Sequence, residues 1–189
     1  MKTRVRLRRP VSVGLTALVV INLALIAANA AGLRINTTAS MPEGIYRLRK
    51  YEAGPIARGT IVAVCPSAAL IAGAAPRHYL GNGPCPGNVE PLLKHVAAVG
   101  GDEVDVSDRA VSVNGRPLPN SGRVARDCAG RPLARISAGR YAIAPSAVWL
   151  YAPVARSWDS RYFGPQPAAG IIGIASPVLI VGTGRACSS

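Results

Sequence analysis

The chain has 189 residues, 49% of them hydrophobic but only 16% charged, with 20 glycines and 16 prolines. That length suits one domain with room for a real core. The low charge excludes a disordered solvating tail, and so much Gly and Pro argues against a helical bundle and for a turn-rich β fold. The net charge of +13, taken alone, points to nucleic acid or an anionic membrane.

The position of that charge separates the two. Lys2, Arg4, Arg6, Arg8 and Arg9 place five positive charges in the first nine residues, and the remaining 180 carry +8. From Pro10 to Leu33 no residue is charged. As a helix this stretch spans about 36 Å, enough for a hydrocarbon core of about 30 Å. The basic flank predicts a cytoplasmic N-terminus and an exported body. The chain therefore divides into a basic N-terminus with a transmembrane anchor or signal segment (1–33) and a periplasmic β domain (34–189). It is expected at the bacterial cytoplasmic membrane, where the remaining positive charge favours an anionic surface. Two readings of the first segment stay open. It is a retained anchor, or a cleaved signal peptide, since Ala28-Asn29-Ala30 before Ala31 has small residues at the right spacing. A DNA-binding arm is disfavoured, because the basic residues adjoin an apolar span and not a polar recognition helix. No nucleic-acid partner is expected.

Beyond residue 34 the strand candidates follow in order. Ile61–Val64 is a short apolar strand. Residues 66–91, rich in Pro, Gly and Ala, read as a long surface excursion. Lys94–Val99 is a strand, and Glu103–Val106 and Val111–Val113 alternate strictly before the type I′ turn signal Asn114-Gly115. A second loop covers about 116–138. Arg140–Ala144 and Val148–Tyr151 read as a hairpin across Pro145-Ser146, and Ile171–Ala175 and Pro177–Val181 finish the chain. No sustained helical period occurs after residue 34, so the expected fold is mainly β, a compact antiparallel domain behind one N-terminal transmembrane helix.

Four cysteines, Cys65, Cys85, Cys128 and Cys187, fit an oxidising compartment. No C-x-x-C pair is present, so zinc or thioredoxin chemistry is poorly supported. His78 between Cys65 and Cys85 makes an incomplete ligand set. No metal and no cofactor are expected. Three connectivities are open, of which Cys65–Cys85 is preferred because both adjoin prolines in loop-like sequence.

Three segments stand out chemically: Thr38-Ala-Ser40-Met41-Pro42-Glu43-Gly44-Ile-Tyr46, Lys94-His95-Val-Ala-Ala-Val-Gly100-Gly101-Asp102, and Ser157-Trp158-Asp159-Ser160-Arg161-Tyr-Phe-Gly164. Each alone is ordinary: a turn, a strand entering a tight turn, a loop with a local ion pair. A serine hydroxyl is a weak nucleophile and needs a base. His95 adjoins Lys94 in a strand and faces away from it, and His78 lies in the long loop, so a Ser-His-Asp triad is not favoured. Glu43, three residues from Ser40 across a proline, reads as solvated. A lysine serves as base if its pKa falls from near 10.4 to about 7–8, at about 1.36 kcal/mol per unit. Burial does this, and Lys94 sits between Leu92, Leu93, Val96 and Ala97, with no acidic residue between Glu90 and Asp102.

In this order, behind an N-in anchor, the three segments resemble the motifs of the signal peptidase I (S26) family of serine–lysine proteases. The Ser-Met-Pro-x-Gly-x-Tyr form is similar to its conjugative-transfer, TraF-type branch, which processes pilins. The resemblance covers most of residues 15–181. It implies Ser40 as nucleophile, Lys94 as base and acyl-enzyme chemistry. It also implies oxyanion donors from the Ser40 N–H and Thr38 hydroxyl, Ser157 orienting the lysine, and Asp159 and Arg161 supporting the site. Asp159 as a direct participant stays open. By analogy, Ile61–Val64 lines small pockets for residues before the cleaved bond. The implied partners are a precursor pilin or another exported preprotein and the membrane, and some members of the branch also join the pilin ends into a ring. Departures from general members favour the specialised branch. Met41 meets Pro42 directly and Glu43-Gly44 follows, Leu150-Tyr-Ala-Pro-Val154 replaces a Gly-Asp-Asn-Arg stretch, and an earlier Gly-Asp motif is reduced to Arg58-Gly59-Thr60. A general signal peptidase and a non-catalytic module of pilus or secretion assembly are the alternatives.

Overall fold

A computed structural model of the chain describes residues 9–38 and 40–182. Lys2, Arg4, Arg6, Arg8 and Cys187 lie outside the described residues. The elements begin with α1 (Arg9–Ala30), β1 (Leu33–Asn36), β2 (Glu43–Lys50), β3 (Ile61–Val64), α2 (Ala68–Ala74), β4 (Asn82–Cys85) and β5 (Leu92–Val99). They continue with β6 (Glu103–Val106), β7 (Val111–Val113), β8 (Arg116–Pro117), β9 (Gly139–Ala142), β10 (Ala147–Tyr151), α3 (Ser160–Phe163), β11 (Gln166–Pro167) and β12 (Ile171–Gly182).

Helix α1 is long and apolar enough to cross a membrane, and its stretch Val13–Ala30 has no protein cover. An uncovered helix that is apolar all round suits lipid. The rest is mainly antiparallel β, as expected. Seven strands pair in the order β1-β2-β12-β3-β5-β10-β11, and four in the order β8-β7-β6-β9. Val62, Val64, Val96, Val148, Leu150 and Ile171 form one core. A second core, where the two sheets meet, gathers Val104, Val106, Val111, Val113, Ile143, Trp149 and Tyr151. Each such fully buried aliphatic side chain contributes roughly 1.5–3 kcal/mol.

The hairpin expected across Pro145-Ser146 does not form. Strand β9 pairs with β6 in the smaller sheet, while β10 pairs with β5 in the larger. The reason lies at Gly100-Gly101, where β5 leaves the large sheet for β6. Strands β9 and β10 follow their partners across the same boundary. Gly100 is required there, because a Cβ would sit 2.5 Å from Pro145 Cα.

Two further expectations are modified. The 66–91 excursion contains the short helix α2, whose first turn is capped by Ser67, with Leu70 N–H donating to its Oγ at 3.4 Å. Seven Ala-rich residues are too few to print a helical period. A disulfide joins Cys65 to Cys85 across the base of this excursion. The two C-terminal segments are one strand, β12, whose register shifts between Pro177 and Leu179. Pairing with β3 has ended at Ala175, so the N–H that Pro177 lacks is not needed on that side.

Candidate active site

The segment 37–42 is the loop between β1 and β2. Met41 anchors it, being 1% exposed. Buried Tyr46 reaches back from β2, its hydroxyl donating to Pro42 O at 2.8 Å. Gly44 lets β2 run against β12, since a Cβ there would meet Leu179 O at 2.0 Å. Pro42, Gly44 and Tyr46 thus fix the loop that presents Ser40. Sequence reasoning passed over Asn36, whose carboxamide spans the same loop. An Asn directly before Thr37-Thr38 is the Asx-turn signal that marks it.

Strand β5 buries Leu92, Lys94, Val96 and Ala98 on alternate positions. Lys94 is only 2% exposed. Its Nζ donates to Ser157 Oγ at 2.9 Å. Burial lowers its pKa to about 8, with the Asp159 charge pulling it up and the Arg161 charge pushing it down. Ser157, itself buried, arrives from the loop between β10 and α3. Thr38, Ser40, Lys94 and Ser157 line one cavity of about 380 Å³. The Thr38 hydroxyl donates to Asn36 Oδ1 at 2.6 Å.

Asp159 and Arg161 stand behind the cavity and do not line it. Both are completely buried. Asp159 Oδ1 accepts from Arg161 Nε and Oδ2 from Arg161 Nη2, each at 2.8 Å. The Ala152 N–H also donates to Oδ2, at 3.1 Å. Arg161 donates onward to the carbonyls of Asn120 (3.0 Å), Val154 (2.7 Å) and Ser157 (3.3 Å). A buried pair is tolerable when its remaining donors and acceptors are satisfied in this way. The pair ties the Ala152–Ser157 loop to α3, and hence holds the Ser157 backbone.

His95 lies on the opposite face of β5, its Nδ1 3.3 Å from Gly59 O. His78 ends the turn after α2 in a left-handed conformation. Neither histidine nor Glu43 lines the cavity. The two long loops also line the cavity, through Arg77 and Tyr79 from one and Asp127, Ala129 and Arg131 from the other. Asp127 joins them, accepting from Tyr79 Oη at 2.6 Å and Arg131 Nε at 2.8 Å. Trp158, next to Ser157, packs on Tyr79 with ring centroids 5.5 Å apart. Nothing in the local sequence announced this clasp, because its partners are far apart in the chain.

A second cavity, of about 370 Å³, shares Thr38, Glu90, Pro91 and Leu93 with the first. Its apolar lining includes Ile35, Tyr46, Leu48, Ile172 and Ala175. Of the strand Ile61–Val64 only Ala63 reaches it, because Val62 and Val64 turn into the core.

Residues 7–180 match the family model described as signal peptidase, peptidase S26. A Sinorhizobium fredii protein named "Probable conjugal transfer protein TraF" is 42% identical over 180 residues, 94% of this chain and 93% of its own. The "Conjugal transfer protein TraF" of Agrobacterium tumefaciens is 40% identical over 154 residues, 81% of this chain and 85% of its own. A "Plasmid transfer protein TraF" of Escherichia coli is 39% identical over 155 residues, 81% of this chain and 86% of its own. A solved signal peptidase I from Enterococcus faecalis is 18% identical, covers 65% of this chain and 98% of its own, and superposes with a TM-score of 0.35. At that overlap the fold rests on the strand pairing described above.

Proposed function

The chain belongs to the signal peptidase S26 family, and we propose that it is a membrane-anchored serine–lysine endopeptidase that processes an exported precursor, a pilin of conjugative transfer. One observation carries the reading. The buried amine of Lys94, with its pKa lowered to about 8, shares a cavity with Ser40. At neutral pH about a tenth of such an amine is unprotonated, against less than about a thousandth for a solvated lysine.

The geometry supports the following chemistry. The Lys94 N–H that donates to Ser157 fixes the rotation of the amine and leaves its lone pair for the Ser40 hydroxyl. Substrate binding brings these two into hydrogen-bond contact. Ser40 Oγ attacks the scissile carbonyl as Lys94 takes the proton. Lys94 then gives that proton to the leaving amine, the C–N bond breaks, and an ester to Ser40 remains. The Ser40 N–H and the Thr38 hydroxyl receive the oxyanion, the hydroxyl turning from Asn36 to do so. Water, deprotonated by Lys94, releases the acid. An amine in place of that water joins two ends instead.

The adjoining apolar cavity takes the small side chains before the cleaved bond. Helix α1 anchors the chain, and the basic N-terminal flank sets the catalytic domain, 34–189, in the periplasm. Exposed Val178, Leu179 and Val181 lie on β12 and suit a nearby bilayer. The relatives' names support conjugation as the setting. The test is precursor processing by Ser40→Ala and Lys94→Ala. Both are expected to be inactive, and full cleavage by either overturns the mechanism.

A further inference from the structure

We propose that Asn36 is the positioning residue of the nucleophile loop, through a carboxamide that clamps both sides of Ser40. This rests on the reading of Ser40 as nucleophile. Asn36 Nδ2 faces three backbone carbonyls, Thr38 O at 3.2 Å, Met41 O at 3.2 Å and Pro42 O at 3.0 Å. Its Oδ1 accepts from the Thr38 N–H at 3.3 Å and from the Thr38 hydroxyl at 2.6 Å. The amide orientation is unambiguous, since a flip would set an oxygen against three oxygens. One half-buried side chain therefore grips the loop before Ser40 and after it.

The two halves of the carboxamide do different work. The amide hydrogens fix the backbone that carries Ser40 and aims its N–H. The oxygen parks the Thr38 hydroxyl beside the nucleophile. Asn36 itself belongs to β1, which pairs with β2 through Asn36 and Gly44, so the clamp is fastened to the sheet and not to another loop. Asn36 lines the adjoining apolar cavity but not the one that holds Ser40 and Lys94. It acts through the loop.

The test uses the full chain in detergent and a fluorescent β-lactam-type acylating probe, which labels an activated serine without precursor recognition. Maximal acylation rate, apparent affinity and melting temperature are measured for wild type, Ser40→Ala, Asn36→Ala and Asn36→Asp. Misplacing a reacting group by about 1 Å costs about 10²-fold, so Asn36→Ala is expected to lower the maximal rate by about 10–100-fold. The apparent affinity is expected to stay within about threefold, and the pH midpoint, which belongs to Lys94, to stay unchanged. Asn36→Asp keeps the size and the acceptor but turns the donor into an anion facing three carbonyls, and is expected to lose at least as much. Labelling that persists in Ser40→Ala overturns the serine reading and this proposal with it. If Ser40→Ala is silent while Asn36→Ala labels at the wild-type rate, the Asn36 proposal alone falls. It also falls if both Asn36 variants lose cooperative melting, or if Asn36→Ala shifts the pH midpoint.

Discussion

Lys94 and Ser157 are 63 residues apart in the chain, yet Nζ of one donates to Oγ of the other at 2.9 Å. The contact is a product of the sheet. Strand β5 turns Lys94 inward in phase with Val96 and Ala98, and β10, its neighbour, delivers Ser157 just beyond its end. A lysine in such a place carries an energetic cost. Its pKa is lowered to about 8, while the unfolded chain holds the ordinary value near 10.4. Between those values the unfolded state binds more protons, so this group's contribution to stability improves as pH rises through that window. Below about pH 8 burial of the ammonium costs about 3 kcal/mol. Lys94→Met is therefore expected to abolish activity while raising stability by about 1–2 kcal/mol, read as melting temperature at pH 7. In the wild type, the acylation rate is expected to rise about tenfold per pH unit up to about pH 8 and then level. A flat profile from pH 6 to 9 removes Lys94 from the role of base.

Ser157→Ala isolates the orienting contact. It deletes one hydroxyl and leaves the apolar surroundings intact, so the stability change is about 1 kcal/mol. The amine loses the partner that sets its rotation, and the maximal acylation rate is expected to fall by about 10–100-fold. Ser157→Thr keeps a hydroxyl and is expected to recover part of the rate if the β-methyl is accommodated. An unchanged rate in Ser157→Ala shows that the hydrogen bond holds the free enzyme alone.

Much of this site was legible in the sequence, though unevenly. The strict alternation of Glu103–Val106 and Val111–Val113 sufficed for β6 and β7 of the smaller sheet, while β8 lay inside the expected 116–138 loop. The phase of β5 put Lys94 on its inner face because Val96 and Ala98 share that phase. Strands β1 and β2 left no such trace. In β2 only Gly44 and Tyr46 are buried, and Arg47, Arg49 and Lys50 interrupt any apolar alternation in its second half. The choice of sheet for β9 and β10 was invisible because it depends on where β5 and β6 part company, not on local pattern. The contacts that give Lys94 and Ser40 their setting, from Ser157 and from Asn36, are hydrogen bonds that composition does not encode. For Asn36 the Asx signal was present but uninterpreted.

Asp159 and Arg161 offer a test of support against direct participation. Removing one partner strands the other charge in the interior, which costs about 3–5 kcal/mol, so Arg161→Met and Asp159→Asn are both expected to melt earlier. The two charges act oppositely on Lys94, Asp159 raising and Arg161 lowering its pKa. Asp159→Asn is accordingly expected to move the pH midpoint of acylation downward, and Arg161→Met to move it upward. Measured at a temperature where both variants stay folded, opposite shifts identify an electrostatic support. A loss of rate in Asp159→Asn at every pH, with the midpoint fixed, makes Asp159 a participant in the reaction.

The turn Gly100-Gly101-Asp102, where β5 passes from one sheet to the next, predicts an acid-sensitive joint. Asp102 is 4% exposed. It accepts from Arg58 Nε at 2.6 Å, Val99 N at 2.9 Å and Asn114 Nδ2 at 2.9 Å. The Arg58 hydrogen bond first, then those from Val99 and Asn114, hold its carboxyl at about 2 against the opposing effect of burial. A depressed carboxyl stabilises the fold fully above its unfolded pKa, near 3.9, and the contribution fades as pH falls through about 2. Arg58 is half exposed, at 53% of its side chain, so solvent screening reduces the effect to about 1–2 kcal/mol. Wild type is therefore expected to exceed Asp102→Asn in stability by about that amount at pH 7, with the gap closing between pH 4 and pH 2. Denaturant midpoints for both proteins across that range are the measurement. A gap that stays constant with pH assigns the difference to packing at the turn and not to the charge.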